Sequence, residues 1–102
     1  MTQRYIQFNL NRDNTYISGL TDIGDSKYTF VIRWDEDYDY FTMDIQDLSG
    51  EYIISGVALV NNLLIRNVKL PYVFYFTHLN DDIYEPTIDN ITEFGLVYED
   101  GK

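Results

Sequence analysis

The sequence predicts an all-β fold: a single small antiparallel β-barrel or barrel-like sandwich of about seven to eight strands. Three observations predict it. Apolar residues recur at every second position in successive runs, which is the period of a half-buried strand. Ten Tyr, six Phe and one Trp make 17% of the chain aromatic, and these residue types favour strands. Turn-forming residues separate the runs at short, regular intervals, the spacing of a sandwich or barrel. The chain of 102 residues is long enough for one domain, 1–102, with a core of its own.

The elements follow in order. Ile6, Phe8 and Leu10 alternate with Gln7 and Asn9, predicting a first strand. Asn11–Asn14 is turn chemistry, and Thr15–Leu20 is a second, less regular strand. Asp22–Asp25 separates it from Tyr28–Trp34, where Tyr28, Phe30, Ile32 and Trp34 share one face. Asp35-Glu36-Asp37 opens a hairpin tip. In Tyr40–Gln46, Phe41, Met43 and Ile45 face one way and Thr42, Asp44 and Gln46 the other. Asp47-Leu48-Ser49-Gly50 reads as a type I turn with left-handed Gly, which yields a bulged hairpin. Gly56 interrupts the strand 51–60, marking a bulge or corner, and a corner favours a barrel. Residues 61–69 fit a helical turn or a strand equally well, and Leu70-Pro71 closes them. Tyr72, Phe74, Phe76 and His78 alternate with Val73, Tyr75 and Thr77. Asn80–Glu93, with Pro86, is a long polar connection, and Phe94, Leu96 and Tyr98 form the last strand before an acidic tail, Glu99-Asp100.

Charge and composition exclude several function classes. The net charge is −10, from 17 acids and seven bases. A protein that binds nucleic acid gains affinity by placing Lys and Arg on phosphates, and anionic membrane surfaces select for basic residues too. Direct nucleic-acid binding and membrane partners are therefore not expected. The chain has no cysteine, which removes disulfides, cysteine zinc sites and thiol catalysis. The N-terminal stretch lacks a signal-peptide pattern, and no apolar run is long enough to span a bilayer.

The candidate chemical groups read as structural. Asp35, Asp37 and Asp39 resemble the opening of a calcium loop, but Tyr40 stands where Gly is needed and Gln46 where a bidentate Glu is needed. The expectation is a solvated turn, and the acids Asp81, Asp82 and Glu85 are likewise assigned to solvent. His78 is the single histidine; it ends a strand and is expected to be half-exposed. None of Ser18, Ser26, Ser49 and Ser55 lies in a nucleophile-elbow context. Trp34 suits a core anchor better than a sugar-stacking platform. No catalytic, cofactor-binding or metal-ligating residue is assigned, no cofactor is expected, and the chain is read as a non-enzyme.

Several segments together resemble a known family. Tyr28–Asp35 is similar to a strand ending in an aromatic–polar pair, here Trp34-Asp35. Phe41-Thr42-Met43-Asp44-Ile45 with Asp47-Leu48-Ser49-Gly50 resembles a hairpin of that family. Ile54–Val60 is similar to its Gly-centred strand, Leu63-Leu64 and Leu70-Pro71 to its di-leucine and Leu-Pro, Glu85-Pro86 with Asp89-Asn90 to its Pro-containing loop, and Leu96-Val97-Tyr98 to its final strand. On these residues the chain resembles the small baseplate plug proteins of contractile-tailed phages, a cyanophage-type family common in prophages. Two departures stand out: the Trp34–Phe41 loop is more acidic, and Tyr-Val-Phe follows Leu70-Pro71 where a Gly is common. The resemblance implies a non-enzymatic structural part of the virion, located in the tail baseplate and assembled in the host cytoplasm. Its implied partners are baseplate, hub or tail-tube proteins, and self-association. The alternative readings are an acidic DNA-mimic or inhibitor protein of phage origin, and a carbohydrate-binding β module.

Overall fold

The computed structural model describes residues 4–23, 26–80 and 82–100. It contains eight strands: β1 (Arg4–Gln7), β2 (Tyr16–Ile23), β3 (Ser26–Asp35), β4 (Tyr40–Gln46), β5 (Tyr52–Leu59), β6 (Leu63–Ile65), β7 (Tyr72–His78) and β8 (Phe94–Asp100). They form two four-stranded antiparallel sheets, ordered β1-β8-β7-β6 and β2-β3-β4-β5. No helix is long and apolar enough to cross a membrane among the described residues.

The two sheets face each other as a sandwich. Period-2 alternation puts Phe30, Ile32, Phe41, Met43 and Ile45 of one sheet against Phe74, Phe76, Phe94 and Leu96 of the other, all buried. Phe30 meets Phe74 edge-on with ring centroids 5.9 Å apart, and Phe76 stacks on Phe94 at 5.3 Å. Large aromatic side chains supply most of the apolar area such a core removes from water.

The barrel favoured by a corner at Gly56 does not form. Gly56 does adopt a left-handed φ of 65°, but it marks a bulge. The register steps from Met43↔Val57 to Ile45↔Ile54, so Ser55 and Gly56 both stand opposite Asp44. β5 stays on β4 throughout, and the chain turns at 60–62 before β6 joins β7. Closure needs a strand shared between sheets, and the described strands provide none.

Other expectations shift in detail. β1 ends at Gln7, opposite Gly95; Phe8 and Leu10, expected in the same strand, are still buried in the core. The ambiguous segment 61–69 contributes the short strand β6. Glu99 and Asp100, expected in a tail, belong to β8 and pair with Val73 and Tyr72. Gly24 and Asp25 of the turn before β3, and Asp81, lie outside the described residues.

The β4–β5 turn forms as the sequence predicts. Gly50 has φ 90° and its N–H donates to the Asp47 carbonyl at 3.0 Å. The Asp47 carboxylate accepts from the Ser49 hydroxyl (2.8 Å) and from the Ser49 and Glu51 N–H groups (both 3.0 Å). These donors, the Ser49 hydroxyl foremost, hold the Asp47 carboxyl below the usual aspartate range. A depressed carboxyl contributes stability above its unfolded value and loses it as pH falls through its folded value. NMR titration is expected to place Asp47 below an ordinary aspartate, and Ser49→Ala to move it back up; an ordinary value in the unmodified chain contradicts the turn geometry.

Candidate functional site

The topology sorts the charge. The segments 8–15, 36–39, 60–62 and 79–93 all lie at one end of the sandwich, because β1, β3, β5 and β7 run toward it. Cross-contacts knit them together. Arg12 makes a bidentate pair with Asp89 (2.9 and 2.7 Å), and Asn61 donates to the carbonyls of Asp82 and Tyr84 (2.8 and 3.0 Å). Asp13, Asp35, Glu36, Asp37, Asp39, Asp82, Glu85, Asp89 and Glu93 sit at this end, and Arg12 is their one basic counterpart among the described residues. Arg12 holds the Asp89 carboxyl below its usual range by hydrogen bonding, and is itself raised. At the opposite end the acids Asp22, Asp47, Glu51, Glu99 and Asp100 are nearly balanced by Arg4, Lys27, Arg66 and Lys69. Most of the net charge of the described residues therefore belongs to one pole of the molecule.

Within that pole Asp35 accepts from the N–H groups of Asp37 (2.9 Å) and Tyr38 (3.3 Å). This is a self-capping turn; Asp35, Asp37 and Asp39 do not bring oxygens together as a calcium loop does.

His78 corrects the sequence reading. It was expected to be half-exposed and is 1% exposed, because the connection 79–93 folds back over it. Its Nδ1 accepts the Asn80 N–H at 3.0 Å, and its Nε2 lies 2.9 Å from Glu93 and 3.6 Å from Asp82. These three side chains are spaced to share a cation, yet the imidazole is in the wrong tautomer. An Nδ1 that accepts leaves the proton on Nε2, where it is donated to Glu93. A metal-ligating Nε2 needs a lone pair there and an Nδ1–H donated outward. The group is a hydrogen-bonded strut between the end of β7 and the 3-10 turn Ile91–Glu93 that precedes β8. Among the described residues none of its hydrogen bonds reaches a serine, and Ser49 is spent on Asp47.

The outer face of β2-β3-β4-β5 carries an open groove of about 680 Å³, lined in part by Arg33, Tyr40, Thr42, Asp44 and Tyr52. At its floor Asp44 accepts from the bulged Gly56 N–H at 2.6 Å and from Arg33 Nη2 at 3.0 Å. Alternation alone assigned Asp44 to an exposed face; the missing signal was its position directly opposite a Gly on the neighbouring strand that breaks the ladder. Both lobes of its carboxylate are occupied, so the groove offers no free acid or nucleophile there. Trp34 is half-buried, with its ring centroid 4.6 Å from that of Phe41, which supports packing more than ligand stacking.

The described residues form an eight-strand all-β scaffold with a polarised surface. A family model described as "Cyanophage baseplate Pam3 plug gp18" matches residues 4–101. No curated protein and no solved structure matches the chain. The match spans every strand from β1 to β8, and the chain belongs to this family of phage baseplate plug proteins.

Proposed function

We propose that the protein is a non-enzymatic structural component of a contractile phage tail baseplate, placed near the hub and tube and held there by protein–protein contacts. The observation that carries this reading is the family match over residues 4–101. Physical features support it. More than half of the sequence lies in the eight strands of the scaffold, and this supports presentation of surface as the main role of the side chains. The acidic pole suits a position beside passing DNA, since like charge keeps phosphate from sticking.

The DNA-mimic alternative needs carboxylates spaced along one face, whereas here they gather at one end. The carbohydrate-binding alternative needs a presented aromatic platform, and Trp34 is packed on Phe41. Quantitative mass spectrometry of purified particles tests the proposal: the chain is expected at a small, fixed copy number per tail, and its absence from mature particles overturns the reading.

A further inference from the structure

The two sheets present four edge strands, β1, β6, β2 and β5, and three of these edges are guarded. β1 and β6 have only four and three residues, and short edges resist pairing. β5 is broken by the bulge at Ser55 and Gly56, and its Ile53 carbonyl already accepts a hydrogen bond from the Asn67 amide at 3.3 Å. β2 has none of these devices. It pairs with β3 over eight residues without a shift of register and contains no Pro, Lys or Arg. Its single charge, Asp22, is taken by Lys27 at 2.6 Å. The Trp34 N–H donates to the Thr15 carbonyl at 2.9 Å, so Thr15 and every second residue after it bond to β3. Tyr16, Ser18, Leu20 and Asp22 therefore turn their N–H and C=O groups outward, and among the described residues no strand takes them up.

Beside this edge the seam between the sheets is open. A cleft of about 230 Å³ lies there, lined by Ile6, Phe8, Ile17, Gly19, Phe30 and Ile32. A Cβ on Gly19 would meet nothing within 4 Å, so the inward row of β2, Ile17-Gly19-Thr21, has a notch at its middle. We propose that β2 and this notch receive an extended segment of a different protein, which joins the β2-β3-β4-β5 sheet as an antiparallel strand.

Each feature selects a property of the occupant. The free backbone groups call for another strand, since only an extended chain offers donors and acceptors at the two-residue spacing of the edge. The cleft calls for apolar side chains at every second position, with an aromatic or β-branched one opposite Gly19. Charge sets the polarity. An antiparallel strand runs toward the start of β2, beside the acidic pole, so Lys or Arg at its C-terminal end meets the acids gathered there. The same net charge of −10 repels a second copy of this chain. The edge is one surface through which contacts of the baseplate kind can be made, but its assignment does not rest on the baseplate reading.

The test uses the full chain and a short synthetic peptide that alternates Val and Thr, with Phe at its centre and a pair of Lys at its C-terminus. In the free chain amide exchange is expected to be fast at Tyr16, Ser18, Leu20 and Asp22 and slow at Ile17, Gly19 and Thr21. Added peptide is expected to slow the first set. N-methylation of the peptide amides that face β2 abolishes binding, and N-methylation of the alternate amides leaves it intact. Gly19→Val fills the notch, and Leu20→Pro removes an outward N–H at a position where an edge strand tolerates Pro. Each is expected to weaken binding by about tenfold. Val favours strands, so Gly19→Val is expected to melt no lower than the unmodified chain, which separates lost binding from lost folding. The proposal is overturned if millimolar peptide changes nothing at β2, or if both N-methylated peptides bind equally. It is also overturned if the four outward amides are already protected in the free chain; a mass of twice 12.1 kDa in that case gives the edge to a second copy. Absence from phage particles would leave the strand site standing, and failure of the peptide to bind would leave the baseplate reading standing.

Discussion

Asp44→Ala is expected to lower the thermal midpoint by roughly 10–20 °C, the equivalent of about 2–3 kcal/mol for a domain of this size. The side chain of Asp44 is 8% exposed and serves two partners at once. Its Oδ1 takes the Gly56 N–H, which the β-bulge has removed from the ladder, and its Oδ2 takes Arg33. Truncation removes both hydrogen bonds of a buried carboxylate at once, including the acceptor of the bulged Gly56 N–H. Arg33 is more than half exposed, so its loss of a partner adds little. Asp44→Asn keeps one carbonyl acceptor for the Gly56 N–H and is expected to cost about half as much. A midpoint unchanged in Asp44→Ala, read by calorimetry, would show that water replaces the carboxylate at the bulge.

Phe74→Ala is expected to be the more damaging core change, at about 3–5 kcal/mol. Phe74 is fully buried on β7. It joins the sheets through its edge contact with Phe30 and also touches Tyr98, with centroids 6.1 Å apart. Its removal deletes apolar burial and leaves a cavity between two hydrogen-bonded sheets that cannot collapse freely. Chemical denaturation measures it: the midpoint falls with little change in the slope. A loss under about 1 kcal/mol would mean that the sheets slide together to refill the space.

Much of this fold was legible because strand alternation is a local signal. Phe41, Met43 and Ile45 announce their shared face without knowledge of any partner strand, and Asp47–Gly50 carries its turn in four residues. What alternation cannot express is which strands neighbour one another. Gly56 was correctly marked as an irregularity, but whether it turned a corner or formed a bulge depended on β5 staying with β4. His78 was misplaced for a related reason. Its burial is made by residues 79–93, a polar stretch whose return path over the end of β7 leaves no periodic trace. The acidic pole was visible in sequence only as turn-rich acids; their convergence required the antiparallel order that carries four separate loops to one end. The family resemblance was readable because it rests on ordered short segments, and the match across residues 4–101 extends it to β1.

The pairing of β1 with β8 has a practical consequence for locating the protein in an assembly. Arg4 stands opposite Tyr98, so both strands open onto the pole away from the acidic loops, with their backbones about 4.8 Å apart. A reporter domain attached beyond β1 or beyond β8 projects from the same side, while a heavy-atom label at Glu36 marks the other. Two such markers, seen in averaged images of isolated tails, turn an otherwise featureless β-sandwich into an arrow whose heading along the tail axis can be read.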